Sequence, residues 1–185
     1  ELKLKKDSKI LLMLAEYNLR KGHEFIIKAM NNILKFDNNI YLLICGYKKN
    51  NNFIFIKNLV KNSKSRKNII LKGFRKDKIN LIKSSNIILI PSQSYESFGY
   101  VAIEAMSLKK PVISTDVGGL KEVIDNEKNG YVIKKNNWLK FSKKILLLIR
   151  NKSIRKKFSK NGYIKYKASY TAELMSKKYS ELLEI

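Results

Sequence analysis

Glu96 and Glu104 bracket the stretch of this chain best suited to holding a charged ligand. Between them, Ser97 has the chemistry of a helix N-cap, and Val101, Ala102, Ala105 and Met106 fall at helical spacing. Phe98, Gly99 and Tyr100 then carry the unpaired N–H groups of a first helical turn. That turn is an anion site, and Gly99 lets a ligand approach the backbone. Glu104 lies about five residues inside this helix, roughly 8 Å along an axis that rises about 1.5 Å per residue. A carboxylate at that depth repels phosphate and suits a neutral diol such as a ribose. Glu96, on the loop before the helix, can hold a second set of hydroxyls. The ligand these spacings describe is a nucleotide diphosphate carrying a sugar.

The elements that must position these groups follow from apolar patterning. Ile87 to Ile90 is a short apolar run stopped by Pro91, which reads as a buried strand leading into the glutamate loop. Similar strands are expected at Ile10–Leu14, Ile40–Ile44, Ile69–Leu71, Val112–Thr115 and Tyr131–Ile133. Helices are expected between them: one burying Ile26, Ile27, Met30, Ile33 and Leu34, one over Phe53–Val60 and a short one around Ile79–Ile82. Lys48 to Asn52 reads as a solvated loop, and Gly118-Gly119 as a tight turn or a second helix start leading through Ile124. After about residue 137 only helices are expected: Trp138–Ile149, Ile154 to about Tyr166, and Thr171–Leu183. Strands alternating with helices predict an α/β fold, a Rossmann-like doubly wound parallel sheet of about six strands with helices on both faces and a helical C-terminus.

The ordered set Pro91-Ser92, Glu96-Ser97-Phe98-Gly99, Glu104-Ala105-Met106, Pro111-Val112-Ile113, Gly118-Gly119 with Glu122, and Asn129-Gly130 resembles family 4 glycosyltransferases. The two acids match the E-x7-E pair of many retaining enzymes with the GT-B fold. The resemblance runs from about Ile10 to the end and covers only the C-terminal, donor-binding domain. It implies that residues 1–185 form that domain and that the N-terminal acceptor domain is absent from this chain. It also implies a UDP- or GDP-sugar donor and a glycan or lipid-linked acceptor. Glu96 and Lys21 are the implied catalytic residues. Lys21, in a Lys-Gly element after the first strand, would stabilise charge on the leaving diphosphate. Glu96 would contact the donor sugar or phosphate, or act as a nucleophile. Glu104, Phe98, Gly99, Tyr100, Gly73, Phe74 and Arg75 are the implied donor contacts, with the Gly73 loop against the base and Arg75 alternatively reaching the phosphates. Many relatives carry Gly-Arg where this chain has Ala15-Glu16, and Arg20 is the candidate replacement for that phosphate contact. The motif requires no metal and no cofactor.

The 185 residues suffice for one domain with a substantial core. No run approaches the ~20 apolar residues of a membrane span, and the charged Glu1–Asp7 start lacks the form of a secretory leader. The single cysteine, Cys45, excludes an internal disulfide and fits the cytosol. His23, the only histidine, has neither a carboxylate cluster nor a cysteine pair beside it, so a metal site is not expected. Neither a Walker loop nor a Ser-His-Asp arrangement is present. The net charge is +24, yet only five of the 39 basic residues are Arg, and the lysines are spread along the chain with local clusters near both ends. Compositional bias accounts for this pattern first. Attraction to an anionic membrane leaflet, at ~1 kcal/mol per Lys held near the surface, comes second. Specific nucleic-acid binding comes last, because such modules use Arg forks and stacked aromatics at defined positions. The expected setting is cytoplasmic, peripheral to the inner face of a membrane. A non-catalytic nucleotide-sugar-binding module and a basic surface-binding protein remain the alternatives.

Overall fold

A computed structural model describes residues 4–5, 7–48 and 51–183. Six strands form one parallel sheet: β1 (Lys9–Leu14), β2 (Ile40–Cys45), β3 (Ile69–Lys72), β4 (Ile87–Ile90), β5 (Val112–Thr115) and β6 (Gly130–Ile133). Their spatial order is β3-β2-β1-β4-β5-β6. The helices are α1 (His23–Ile33), α2 (Asn51–Lys61), α3 (Lys78–Ser84), α4 (Tyr100–Ser107), α5 (Leu120–Val123), α6 (Trp138–Arg150), α7 (Lys152–Ser169) and α8 (Ala172–Leu183). The expected fold class and all six strands are present. Of the expected Lys48–Asn52 loop, Asn51 and Asn52 instead open α2, while Lys49 and Asn50 lie outside the described residues, as do Glu1, Leu2, Lys3 and Lys6 of the charged start.

The strands read as continuous apolar runs because the sheet is covered on both faces. Side chains alternate between two cores, as a period of two requires. Leu11, Met13, Leu42, Ile44, Ile87 and Leu89 face the core beneath α1, α2 and α6. Leu12, Leu43, Cys45, Ile88 and Ile90 face the core beneath α3, α4 and α5.

The strand order reverses at β1, whose neighbours are β2 on one side and β4 on the other. β1 pairs with β2 along all six residues, but with β4 only at Leu11–Ile87 and Leu12–Ile88. Beyond these pairs the two strands lead into separate loops, and a crevice opens at their C-terminal ends. Ligands of open α/β sheets bind at such a reversal.

Candidate functional site: a cleft at the strand-order reversal

The loop after β1 is short and held at both ends. Residues Leu19–Lys21 form a 3-10 turn, with the Asn18 side chain accepting from the Arg20 N–H at 3.1 Å. Gly22 then takes a left-handed conformation (φ 80°), and a Cβ there would meet the Pro91 carbonyl oxygen at 1.8 Å. Only glycine permits this approach, which seats the β1 loop directly on the β4 loop. The Gln93 N–H donates to the Arg20 carbonyl at 2.7 Å and joins the two loops again.

This packing brings together Lys21 and Glu96, which are 75 positions apart in the chain. Lys21 Nζ donates to Glu96 Oε2 at 2.8 Å, with the side chains 20% and 14% exposed. Ser92 Oγ donates to the same oxygen at 2.8 Å. Glu96 Oε1 has no protein donor among the described residues. Ser92 is fixed in turn, because the buried Thr115 hydroxyl donates to its carbonyl at 2.5 Å. From the far side, Gly118 (φ 56°) presses on the glutamate loop so closely that a Cβ would lie 1.9 Å from the Glu96 carbonyl oxygen. The Gly119 N–H donates to that carbonyl at 3.1 Å. Gly118-Gly119 therefore works as a packing turn under Glu96, and α5 after it is only four residues long.

The same packing moves the start of the central helix. Ser97 does not cap it: the N-cap is Gly99 (φ 83°), with no side-chain cap, and α4 begins at Tyr100. Ala102 and Ile103 N–H both reach back to the Gly99 carbonyl, leaving those of Tyr100 and Val101 at the helix mouth. The cap thus shifts by two residues from the expected Ser97, the open N–H groups of the first turn are those of Tyr100 and Val101, and Glu104 stands four residues in, near 6 Å along the axis. The Phe98 ring turns away onto Tyr100 and Tyr170, at centroid distances of 5.4 and 5.9 Å. Tyr100 is exposed on that same outer surface, so these two aromatics can serve the cleft only through their backbone.

Two connected hollows lie over the crevice. The inner one, about 40 Å³, is lined by Lys21, Ser92, Glu96, Gly99 and Val101 among others. The outer one, about 330 Å³, shares Leu14, Ala15 and Val101 with it and extends to Glu16, Gly46, Phe74, Arg75, Lys78 and Glu104. Phe74 is 71% exposed at its rim. Gly73 lies outside the lining. Arg75 is locked in a two-pronged pair with Asp77 at 2.7 and 2.6 Å, which raises the guanidinium pKa and lowers that of the carboxyl. Arg20 does not enter either hollow; its guanidinium lies 3.9 Å from Glu16. Glu104 Oε1 accepts from Lys78 Nζ at 2.6 Å in a solvent-exposed pair.

Several lining residues were not singled out from sequence. Lys78 and Gly46 enter through tertiary contact alone, whereas Ser92 stands inside the recognised Pro-Ser pair and Glu16 at the position where many relatives carry Arg. Cys45 is buried at the end of β2 and also edges the outer hollow, and burial pushes its pKa up to about 11. His23 is fully buried beneath the Lys21 turn, and burial lowers its pKa to about 4. Among the described residues no group of three His, Cys, Asp or Glu side chains could hold a metal ion, and no helix is long and apolar enough to cross a membrane.

A parallel sheet whose strand order reverses at β1, with helices on both faces, defines a Rossmann-like domain. A family model described as glycosyl transferases group 1 matches residues 1–165. The chain belongs to that family. It is 37% identical over 145 residues to an uncharacterized glycosyltransferase of Methanocaldococcus jannaschii, covering 77% of this chain and 39% of the relative. It is 26% identical over 155 residues to the capsular polysaccharide biosynthesis glycosyltransferase CapM of Staphylococcus aureus, covering 84% and 40%. The crystal structure of a glycosyltransferase from Rickettsia africae superposes with a TM-score of 0.90 at 29% identity, over 96% of this chain and 48% of that one. The chain thus spans about two fifths of the curated relatives and about half of the solved structure, and its fold is one half of a GT-B glycosyltransferase.

Proposed function

We propose that this cleft binds a nucleotide diphosphate sugar, UDP- or GDP-linked, and that the chain is the donor-binding half of a retaining family 4 glycosyltransferase. The observation that carries the reading is the convergence of the α4 start, the Lys21–Glu96 pair and Glu104 on one crevice. In this reading the Tyr100 and Val101 N–H groups and Lys21 receive the diphosphate. Glu104 exchanges Lys78 for the ribose hydroxyls, at little cost because an exposed ion pair contributes little. Phe74 and the backbone around it lie against the base. Glu96 orients the sugar through Oε1, since its other oxygen is already held by Lys21 and Ser92.

Transfer breaks the bond between the anomeric carbon and the diphosphate oxygen and forms one to an acceptor hydroxyl. The leaving diphosphate keeps the electron pair, steadied by Lys21 and the helix start, and accepts the hydroxyl proton on the same face. The acceptor is a glycan or glycolipid held by a second domain outside this chain, so the chain alone turns over little or nothing. No metal takes part. The setting is assembly of bacterial cell-surface polysaccharide at the cytoplasmic face of a membrane, a proposal supported by the likeness to CapM.

Calorimetric titration with UDP, GDP and ADP, repeated with Glu104→Ala, tests this. One diphosphate should bind selectively and lose about tenfold or more in affinity in the variant, the scale of a charged hydrogen bond. Equal, salt-sensitive binding of all three, unchanged in the variant, would refute the assignment.

A further inference from the structure

A second hollow lies at the opposite end of the sheet from the cleft. It is a groove of about 640 Å³ between α7 and the chain entering β4 and β5. Six of its twelve lining residues are cations: Lys109, Lys110, Lys152, Arg155, Lys156 and Lys160. No lining residue is acidic. Basic residues are 39 of 185 in the whole chain, about one in five, so a half-cationic lining exceeds the lysine-rich background. Seven of the 18 residues of α7 are basic and none is acidic. The ion pair that α7 makes among the described residues lies away from the groove, where Asp125 pairs with Lys165.

The cations divide into two sets. Three are fixed by the fold. Lys110 Nζ donates to the carbonyls of Lys83 and Ser85, and Arg155 to those of Leu148 and Ile149 at the end of α6. Lys109, in a left-handed conformation (φ 54°), holds its ammonium 4.6 Å above the Tyr163 ring. The other three, Lys152, Lys156 and Lys160, form an i, i+4 row along α7, exposed and without an ion pair among the described residues. At about 1.5 Å per residue their stems are spaced about 6 Å apart and span about 12 Å.

Like charges aligned at this spacing repel one another and weaken the helix. A multiply charged anion lying along the row would reverse the sign of that term. We propose that the groove is a binding site for a ligand bearing clustered phosphates, separate from the nucleotide cleft. The fixed cations form its floor, and the three free ammonium groups close over the ligand as a comb. The same chemistry is offered by a soluble polyphosphorylated molecule and by phospholipid headgroups.

Inorganic tripolyphosphate is the probe, titrated calorimetrically into the full chain at moderate salt. Saturable one-to-one binding is expected, weakened about tenfold or more by combined Lys152→Gln, Lys156→Gln and Lys160→Gln. A control removes the same charge on and just after α2, by Lys57→Gln, Lys61→Gln and Lys64→Gln, and should bind as the parent does. Circular dichroism melts verify that both triple variants fold. Equal weakening in the two variants overturns the proposal, because it makes the attraction diffuse. Displacement of tripolyphosphate by UDP overturns it as well, because it puts the probe in the cleft. Phosphatidylglycerol vesicles distinguish the sources. Capture that is lost in the groove variant and suppressed by tripolyphosphate assigns lipid headgroups, whereas tripolyphosphate binding without capture assigns a soluble ligand.

Discussion

His23 gives the sharpest quantitative test of how the Lys21 turn is held. The side chain is fully buried as the first residue of α1, 5.4 Å from the Tyr17 ring. Nδ1 lies 3.0 Å from the Asn18 carbonyl oxygen. A carbonyl only accepts, so Nδ1 carries the proton and Nε2 is the bare nitrogen, buried without a partner among the described residues. Protonation would place a charged N–H where nothing accepts it, beside the positive end of a helix, and burial accordingly holds the pKa near 4. The unfolded chain protonates near 6.5, so between 6.5 and 4 it binds more protons than the folded one. Stability therefore declines as pH falls through that window and is fully retained above it. Linkage gives a loss of about 2 kcal/mol between pH 8 and pH 5, approaching about 3 kcal/mol near pH 4. Urea unfolding at pH 7.5, 6.5, 5.5 and 5.0 measures this in a chain whose only histidine is His23. His23→Leu should flatten the dependence while losing about 1 kcal/mol at pH 7.5 with the Asn18 bond. If parent and variant lose stability in parallel between pH 7.5 and 5, the buried neutral imidazole is wrong.

Two further experiments probe the cleft from either side. Gly118→Ala should push the Glu96 carbonyl away, costing about 1–3 kcal/mol in urea unfolding and weakening the binding of the preferred nucleotide diphosphate; unaltered binding and stability would mean the turn does not support the loop. A cycle of Lys21→Met, Glu96→Gln and the double variant should show a coupling of about 1–3 kcal/mol in stability, since either single change strands a largely buried partner; additive losses would mean the pair is incidental.

The sequence by itself determined the sheet and its ligand-bearing end. Apolar runs too short for helices, separated by amphipathic stretches, have one economical arrangement, with the strands buried between two helical layers. The motif of ordered Glu, Gly and Pro residues marked the β4–α4 loop without any coordinates. What local pattern could not specify was the direction of individual groups. Ser97 has the right chemistry for a cap, but its backbone is committed to packing on Gly118-Gly119, and the helix start passes to Gly99. Phe98 and Tyr100 sit in the motif, yet their rings serve a different surface, because Phe98 packs edge-on against both Tyr100 and Tyr170.

The pairing of Lys21 with Glu96 belongs to the tertiary structure alone. It depends on Gly22 meeting the Pro91 carbonyl, a contact between segments that the sequence separates by about seventy residues. The basic groove has the same origin: Lys109-Lys110 and the α7 row looked like scattered lysines in a lysine-rich chain until folding set them around one hollow. Period and composition decide which residues are buried, since burial depends on average environment. Which two distant groups meet depends on loop geometry and close packing, and only the folded chain fixes that.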